Sequence, residues 1–384
     1  WINTTSNTCT ITLPSSAESG DQIVLIDYAR TWGTNKIIID SNGLNYQGND
    51  DTYTVEYTTD GQSLNIVYSD ATKGWLPLED DVVAEAPVAP PTQKGIFAFG
   101  QTGSLTNAKN LVNSSGAVAS DASSVGTARS DITGAGYGYD KAIMIFGYNG
   151  SSKVNTTNLV NNLGVVAADV STAAGAKSNG DSTTYGTDKA IVAYGINSGG
   201  NFTSVSNLIS NAGVTSSDVT GVGTARQHPA AVSYGSTGQA LFAFGDAASG
   251  YVNIRNLISN TGVIASDISG AGTARRRPAA STYGTDKAIF AFGGRNSDHT
   301  NVKNLVSNTG VVASDATGVG TSRAAGAGLN YGGDKGIMAY GTTGSGTFTA
   351  VSNLISNSGV VASDQSASGT PKETLGSAGY SFSA

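Results

Sequence analysis

Six copies of one short apolar segment constrain this chain more than any other feature. Lys94–Gly100 (KGIFAFG) returns as KAIMIFG at 141–147, KAIVAYG at 189–195, QALFAFG at 239–245, KAIFAFG at 287–293 and KGIMAYG at 335–341. The intervals are 47, 48, 50, 48 and 48 residues. A unit of about 40–50 residues made of short strands cannot bury its apolar faces alone and stacks on its neighbours, which is the pattern of a propeller blade. Such folds host many activities, so the repeat speaks to architecture before function.

One copy displays the anatomy. Lys287–Gly293 is a nearly continuous apolar run, as expected of a strand covered on both faces. Val302–Ser307 (VKNLVS) reads as the next strand, Asn308–Gly310 as a turn and Val311–Ser314 as a further strand. Asp315–Arg323 is looser, and Ala324–Tyr331 leads into the following copy. That makes four strands per unit. The segments ahead of the apolar runs are rich in tiny residues: Thr133–Tyr137 (TGAGY), Ala230–Tyr234 (AAVSY), Ala279–Tyr283 (AASTY) and Ala325–Leu329 (AGAGL). Only small side chains fit where blades converge on an axis, so this strand is placed innermost. The first copy lacks an innermost strand, and Gly376–Ser383 (GSAGYSFS) supplies one at the other end of the chain. Joined, they close a ring.

Residues 1–78 lie outside the repeat. They read as strands at Cys9–Leu13, Gln22–Tyr28, Lys36–Asp40, Tyr53–Tyr57 and Ser63–Tyr68, separated by Gly, Asn, Asp and Ser clusters. Residues 79–93 (EDDVVAEAPVAPPTQ) are acidic and carry three prolines, the mark of a semi-stiff linker. The expected fold is all-β: a small module over 1–78, a linker over 79–93 and a six-bladed β-propeller over 94–384, closed by the C-terminal strand.

Composition removes several classes. With 51 glycines and 13% charged residues the chain reads as a turn-rich β protein. A net charge of −7 argues against a nucleic-acid partner. Cys9 is the single cysteine, so no internal disulfide or cysteine-based zinc site is expected. No apolar run approaches the roughly 20 residues of a membrane helix, and no signal peptide is visible. The chain begins at Trp1 and is expected to be a fragment or a processed product.

The glycine-terminated apolar strand, doubled as Gly293-Gly294 in one copy, and the basic residue ahead of the innermost strand (Arg275, Arg323) resemble the kelch repeat. Most copies carry one glycine, and the kelch Tyr and Trp are missing, so the likeness is kelch-like. The whole chain also resembles virion structural proteins of marine tailed phages, especially phages of cyanobacteria. The stretches Trp1–Thr5 (WINTT), Ile11–Pro14 (ITLP), Ser19–Ile23 (SGDQI), Gly33–Lys36 (GTNK) and Asp70–Trp75 (DATKGW) are similar to a small β module that recurs in phage tail fibres, often within trimers. The segment NLVSNTGVVASDATGVGTSR at 304–323 is similar to repeats of the same proteins. The resemblance implies a tail-fibre or fibre-like virion component. It also implies homotrimerisation through residues 1–78, other virion proteins as partners, and a host surface glycan or protein as receptor.

Two sets of residues invite a role. An aspartate recurs in every copy (Asp121, Asp169, Asp218, Asp267, Asp315, Asp364), followed by a cation (Arg129, Lys177, Arg226, Arg275, Arg323, Lys372). These read as a ring of structural salt bridges in preference to an ion site, because a functional site seldom needs six copies. The recurring Asn110, Asn158, Asn207, Asn256, Asn304 and Asn353 read as turn or edge-bonding residues. The second set is variable. Loops 101–109, 148–157, 196–206, 246–255 and 294–303 differ strongly and fall on one face, while the hairpins of the other face are nearly constant. A constant scaffold with diverse loops on one face is how binding surfaces are commonly built. The candidate ligand residues there are Phe202, Arg226, His228, Tyr251, Arg255, Arg275, Arg276, Arg277, Asp298, His299 and Phe348. The aromatics could stack on sugars and the arginines could meet anionic glycans.

Catalysis finds little support in motifs. The two histidines fall in different copies, and neither a GxSxG elbow nor an SxDxGxxW turn is present. The chain is read as a non-enzyme with no cofactor and no metal. A purely structural capsid or tail decoration is the alternative, and a glycan-degrading propeller a further one, which a deep axial pocket holding two carboxylates would favour.

Overall fold

The computed structural model describes residues 1–79, 93–270, 272–295, 298–344, 346–366 and 368–381. The expected linker over 79–93 lies almost wholly outside the described residues, as does the end of the expected closing strand. The chain divides into two compact units, 1–90 and 91–384. Among the described residues there is no helix, so none is long and apolar enough to cross a membrane.

The first unit holds two three-stranded sheets. Ile37–Asp40 lies between Cys9–Thr12, which it meets in parallel, and Val55–Tyr57, which runs antiparallel. Ser63–Tyr68 lies between Gln22–Ile26 and Trp75–Glu79, both antiparallel. Strict alternation along Ser63–Tyr68 turns Leu64, Ile66 and Tyr68 inward. They join Trp32, Ile37 and Trp75 in one core. The strand Trp75–Glu79 escapes the sequence reading because Pro77 interrupts it. It is an edge strand, where a missing N–H is tolerated.

The second unit is built from six sheets of one design. The inner strands are Thr133–Tyr137, Asp181–Tyr185, Ala230–Tyr234, Ala279–Tyr283, Ala327–Tyr331 and Gly376–Tyr380. Each pairs antiparallel with an apolar second strand, and that with a third; Ala279–Tyr283, Lys287–Ala291 and Lys303–Val306 form one such set. All six second strands share one burial pattern, a half-buried first residue and four buried ones, which explains their unbroken apolar character. The outer edge differs from expectation. Val311–Ser314 makes only the bridge Val306↔Val312, and the sheet edge is formed further on, by Ala316 beside Lys303 and by Ala122–Ser123, Val170–Ser171 and Gln365–Ser366 in other copies. The cause is Asn304, whose Nδ2 donates to Ala313 O and Asp315 Oδ1 and turns the chain there.

The inner strands pack side by side in chain order, and the last packs against the first. Gly376–Tyr380 pairs with Lys94–Ala98, so the two ends of the unit share one sheet. Six backbone bonds tie each inner hairpin to the next sheet: Gly138 N to Asp188 O, Gly186 N to Gly238 O, Gly235 N to Asp286 O, Gly284 N to Asp334 O, Gly332 N to Gln93 O and Ser381 N to Asp140 O. Small residues are required at this approach. A Cβ on Gly134 would stand 2.8 Å from Ser377 O in the adjacent inner strand.

Candidate binding face

The recurring cation is a buried tie within the wall of the ring. Arg226 is 0% exposed. Its Nε donates to Phe244 O (2.8 Å), its Nη1 to Thr224 O (3.1 Å) and its Nη2 to Asn256 Oδ1 (2.8 Å). Asn256 Nδ2 in turn donates to Asp267 Oδ1 (2.8 Å), and Asp267 accepts from Thr224 N and Oγ1. The guanidinium lies 3.9 Å over the ring of Tyr194, which comes from the preceding sheet. Arg129 repeats the whole set, Arg275 and Arg323 keep the links to the threonine carbonyl and the asparagine, and lysine replaces arginine at Lys177 and Lys372. Direct ion contacts are long where present: 3.6 Å for Arg129–Asp169, 3.9 Å for Arg275–Asp315 and 3.7 Å for Lys372–Asp121. The six asparagines carry the link, amide oxygen to the cation and amide nitrogen to the carboxylate. Burial raises the Asp267 carboxyl, yet hydrogen bonds from Thr224 and Asn256 outweigh it and hold it below the usual range. Burial lowers Arg129 to about 10, which leaves it charged at neutral pH. Arg226 and Arg275, also placed on the ligand face by the sequence, are therefore removed from it: both are 0% exposed, enclosed within the wall.

The variable loops fold back as short hairpins. Asp246–Ala247 pairs with Gly250–Tyr251, Gly294–Arg295 with Asp298–His299, and Thr342–Gly344 with Thr347–Phe348, while Phe202 bridges to Ile196. Each loop is tied to residues just ahead of an inner strand, as in Arg226–Gln227 with Asp246–Ala247 and Arg276 with Gly294. The loops thus surround the end of the ring where the inner strands begin. Phe202, Tyr251, His299 and Phe348 are half-buried there, and Asp298 is exposed. Arg255 lies on a third strand, where its Nη1 donates to Ser269 O (2.9 Å), away from the loop tips.

At the centre of this face the lead-in residues form a crown. Asp131, Asn179, His228, Arg277, Ala325 and Thr374 occupy equivalent positions, all in the left-handed region with φ between 52° and 59°. Their backbones bond in succession: Asn179 N to Asp131 O, His228 N to Asn179 O, Arg277 N to His228 O, Ala325 N to Arg277 O and Thr374 N to Ala325 O. They line an axial cavity of about 110 Å³. Arg277 crosses its mouth, for Asp131 belongs to the opposite sheet and lies 3.6 Å from Arg277 Nη2. The same nitrogen stands 2.8 Å from His228 Nε2. A guanidinium only donates, so His228 Nε2 accepts and the ring proton sits on Nδ1. Burial, then Arg277 and Arg276, push the His228 pKa well below its ordinary value, which fits this neutral form. His228 Nδ1, Asn179 Oδ1, Arg277 Nε and Thr374 Oγ1 are buried without a partner.

Two carboxylates reach the cavity. Burial raises Asp131, and Arg277 opposes the rise. Asp181, at the start of an inner strand, touches the channel but is enclosed by protein, and burial pushes it up to about 6. It accepts from Thr133 Oγ1 (2.6 Å), Ser182 N (2.9 Å) and Ala231 N (2.7 Å). Of the sequence candidates, His228 and Arg277 meet at this cavity, and Arg276 stands beside it. Asp131, Asn179, Asp181, Glu373 and Thr374 were missed. A signal existed: successive columns just ahead of the inner strands vary across the six copies, and the crown column among them reads Asp, Asn, His, Arg, Ala, Thr.

No protein-family model and no curated protein matches the chain. Among solved structures, "Structure of YjhT" is similar with a TM-score of 0.54 at 15% identity, covering 72% of this chain and 97% of that one. At that identity the likeness speaks to fold alone, and the fold is all-β and propeller-like.

Proposed function

We propose that residues 94–384 form a six-bladed kelch-like β-propeller, and that the chain is a virion structural protein, a tail-fibre or fibre-like component, whose variable face binds a host surface receptor or glycan. One observation carries the binding reading: the divergent loops and the axial cavity with its unpartnered polar atoms converge on the same end of the ring. The opposite end repeats one hairpin chemistry, with Asp–Lys neighbours at 140–141, 188–189, 286–287 and 334–335. The virion assignment rests on the resemblance of residues 1–75 and 304–323, which also carries the expectation of a trimer on the particle surface.

The pair Asp131 and Asp181 favours a second reading, a glycan-cleaving enzyme. Its cavity is small beside the roughly 300–1,000 Å³ of ordinary ligand pockets, and both carboxylates are already engaged by protein. These features favour binding over hydrolysis. The test is binding of the full chain to candidate host cells, with loops 196–206, 246–255 and 294–303 replaced together by Gly-Ser linkers of equal length. Saturable binding that the replacement abolishes supports the reading. Binding that survives it, or release of reducing ends from the bound glycan, overturns it.

A further inference from the structure

At the column just before the crown the six copies carry Ser130, Ser178, Gln227, Arg276, Ala324 and Glu373. At the crown itself Arg277 and Asp131 neutralise each other across the axis. That leaves Arg276 as the one cation of this column and Glu373 as its one anion.

Arg276 is built to receive a ligand. Its side chain is 38% exposed, and its guanidinium carbon stands 5.4 Å from the ring centroid of Tyr251 in the neighbouring loop. Among the described residues its guanidinium makes no hydrogen bond. Its one ion contact, Asp246 Oδ2 at 3.9 Å, is at the limit of a pair, and that oxygen is taken by Gln227 Nε2 at 2.9 Å. The other arginines of the face are engaged: Arg295 donates to Asp315 and Arg277 faces His228. Burial and then Arg276 hold His299 below its ordinary pKa, with Asp298 opposing. An arginine held over an aromatic ring, with donors open to solvent, matches the planar fork of a carboxylate or the oxygens of a sulfate.

We infer that Arg276, on its Tyr251 platform, is the subsite for the anionic group of an acidic polysaccharide, a uronate or sulfate ester. The inference rests on the reading of this face as a glycan-binding surface and names the ligand class. Glu373, two sheets further round the ring, repels the same group.

The test uses the full chain with three probes, alginate (a polyuronate), dextran sulfate and neutral dextran, and the variants Arg276→Gln, Glu373→Gln and, at the opposite end of the ring, Lys335→Gln. A charge-assisted bond is worth about tenfold or more in affinity. The expected result is binding to at least one polyanion and none to neutral dextran, about tenfold weaker in R276Q, undiminished in E373Q and unchanged in K335Q, with melting temperatures preserved. Equal loss in R276Q and K335Q means non-specific attraction and overturns the inference. So does an unaffected R276Q or indifference of all variants to both polyanions. Host-cell binding by the same wild-type protein then shows whether only the ligand class has failed or the receptor-binding reading with it.

Discussion

Replacing Asp181 by asparagine should reverse its effect on stability across a defined pH window. The carboxyl is pushed from 3.8 up to about 6 in the folded chain. A rise of that size corresponds to about 3 kcal/mol. The folded state prefers the protonated acid, so the contribution is fully present below pH 3.8 and is lost as pH climbs through 6. The asparagine side chain cannot ionise. Its amide oxygen can still accept from Thr133 Oγ1, but its NH₂ cannot accept from Ala231 N, a mismatch that costs about 1–3 kcal/mol at every pH. The slope, not the offset, therefore carries the test. Urea unfolding of both proteins at unit steps from about pH 4 to 8 should show the variant gaining about 3 kcal/mol on the wild type, most of it between about pH 4 and 6. A difference that stays flat over this range would refute the account of Asp181 as an enclosed axial carboxylate.

Asn256→Leu should cost about 3–5 kcal/mol, because it strands buried Arg226 and its partner Asp267, and a large drop in melting temperature checks it. Gly272→Ala, at φ 93° with a Cβ 2.5 Å from Asp315 Oδ1, should destabilise by more than about 1 kcal/mol; an unchanged urea midpoint contradicts this. Removal of residues 376–384 leaves Lys94–Ala98 without its inner partner, and should expose apolar surface to a hydrophobic dye and abolish cooperative melting.

Strands were legible wherever one chemistry decides them. The second strands announce themselves because both faces are covered, and the inner strands because the axis admits only small residues, as Gly134 shows. Val311–Ser314 misled because a short apolar run after a turn is a local signal, whereas the sheet edge is set by an asparagine several residues earlier. Arg226 and Arg275 misled because an arginine in a polar loop reads as surface, and nothing local announces the aromatic ring of the preceding sheet that covers it. The crown is a further step removed. It arises from backbone bonds between residues of successive copies, and its ligand-facing character lies in what differs at one column across six copies.

The measurement that tests the central claim most directly is amide hydrogen exchange of the full chain, free and bound to host-cell envelope fragments. The account predicts protection at 226–228, 246–255, 275–277 and 294–303, with exchange at the Asn308–Gly310 hairpin and its counterparts unchanged. Protection confined to those hairpins, with the variable loops unaffected, would contradict it.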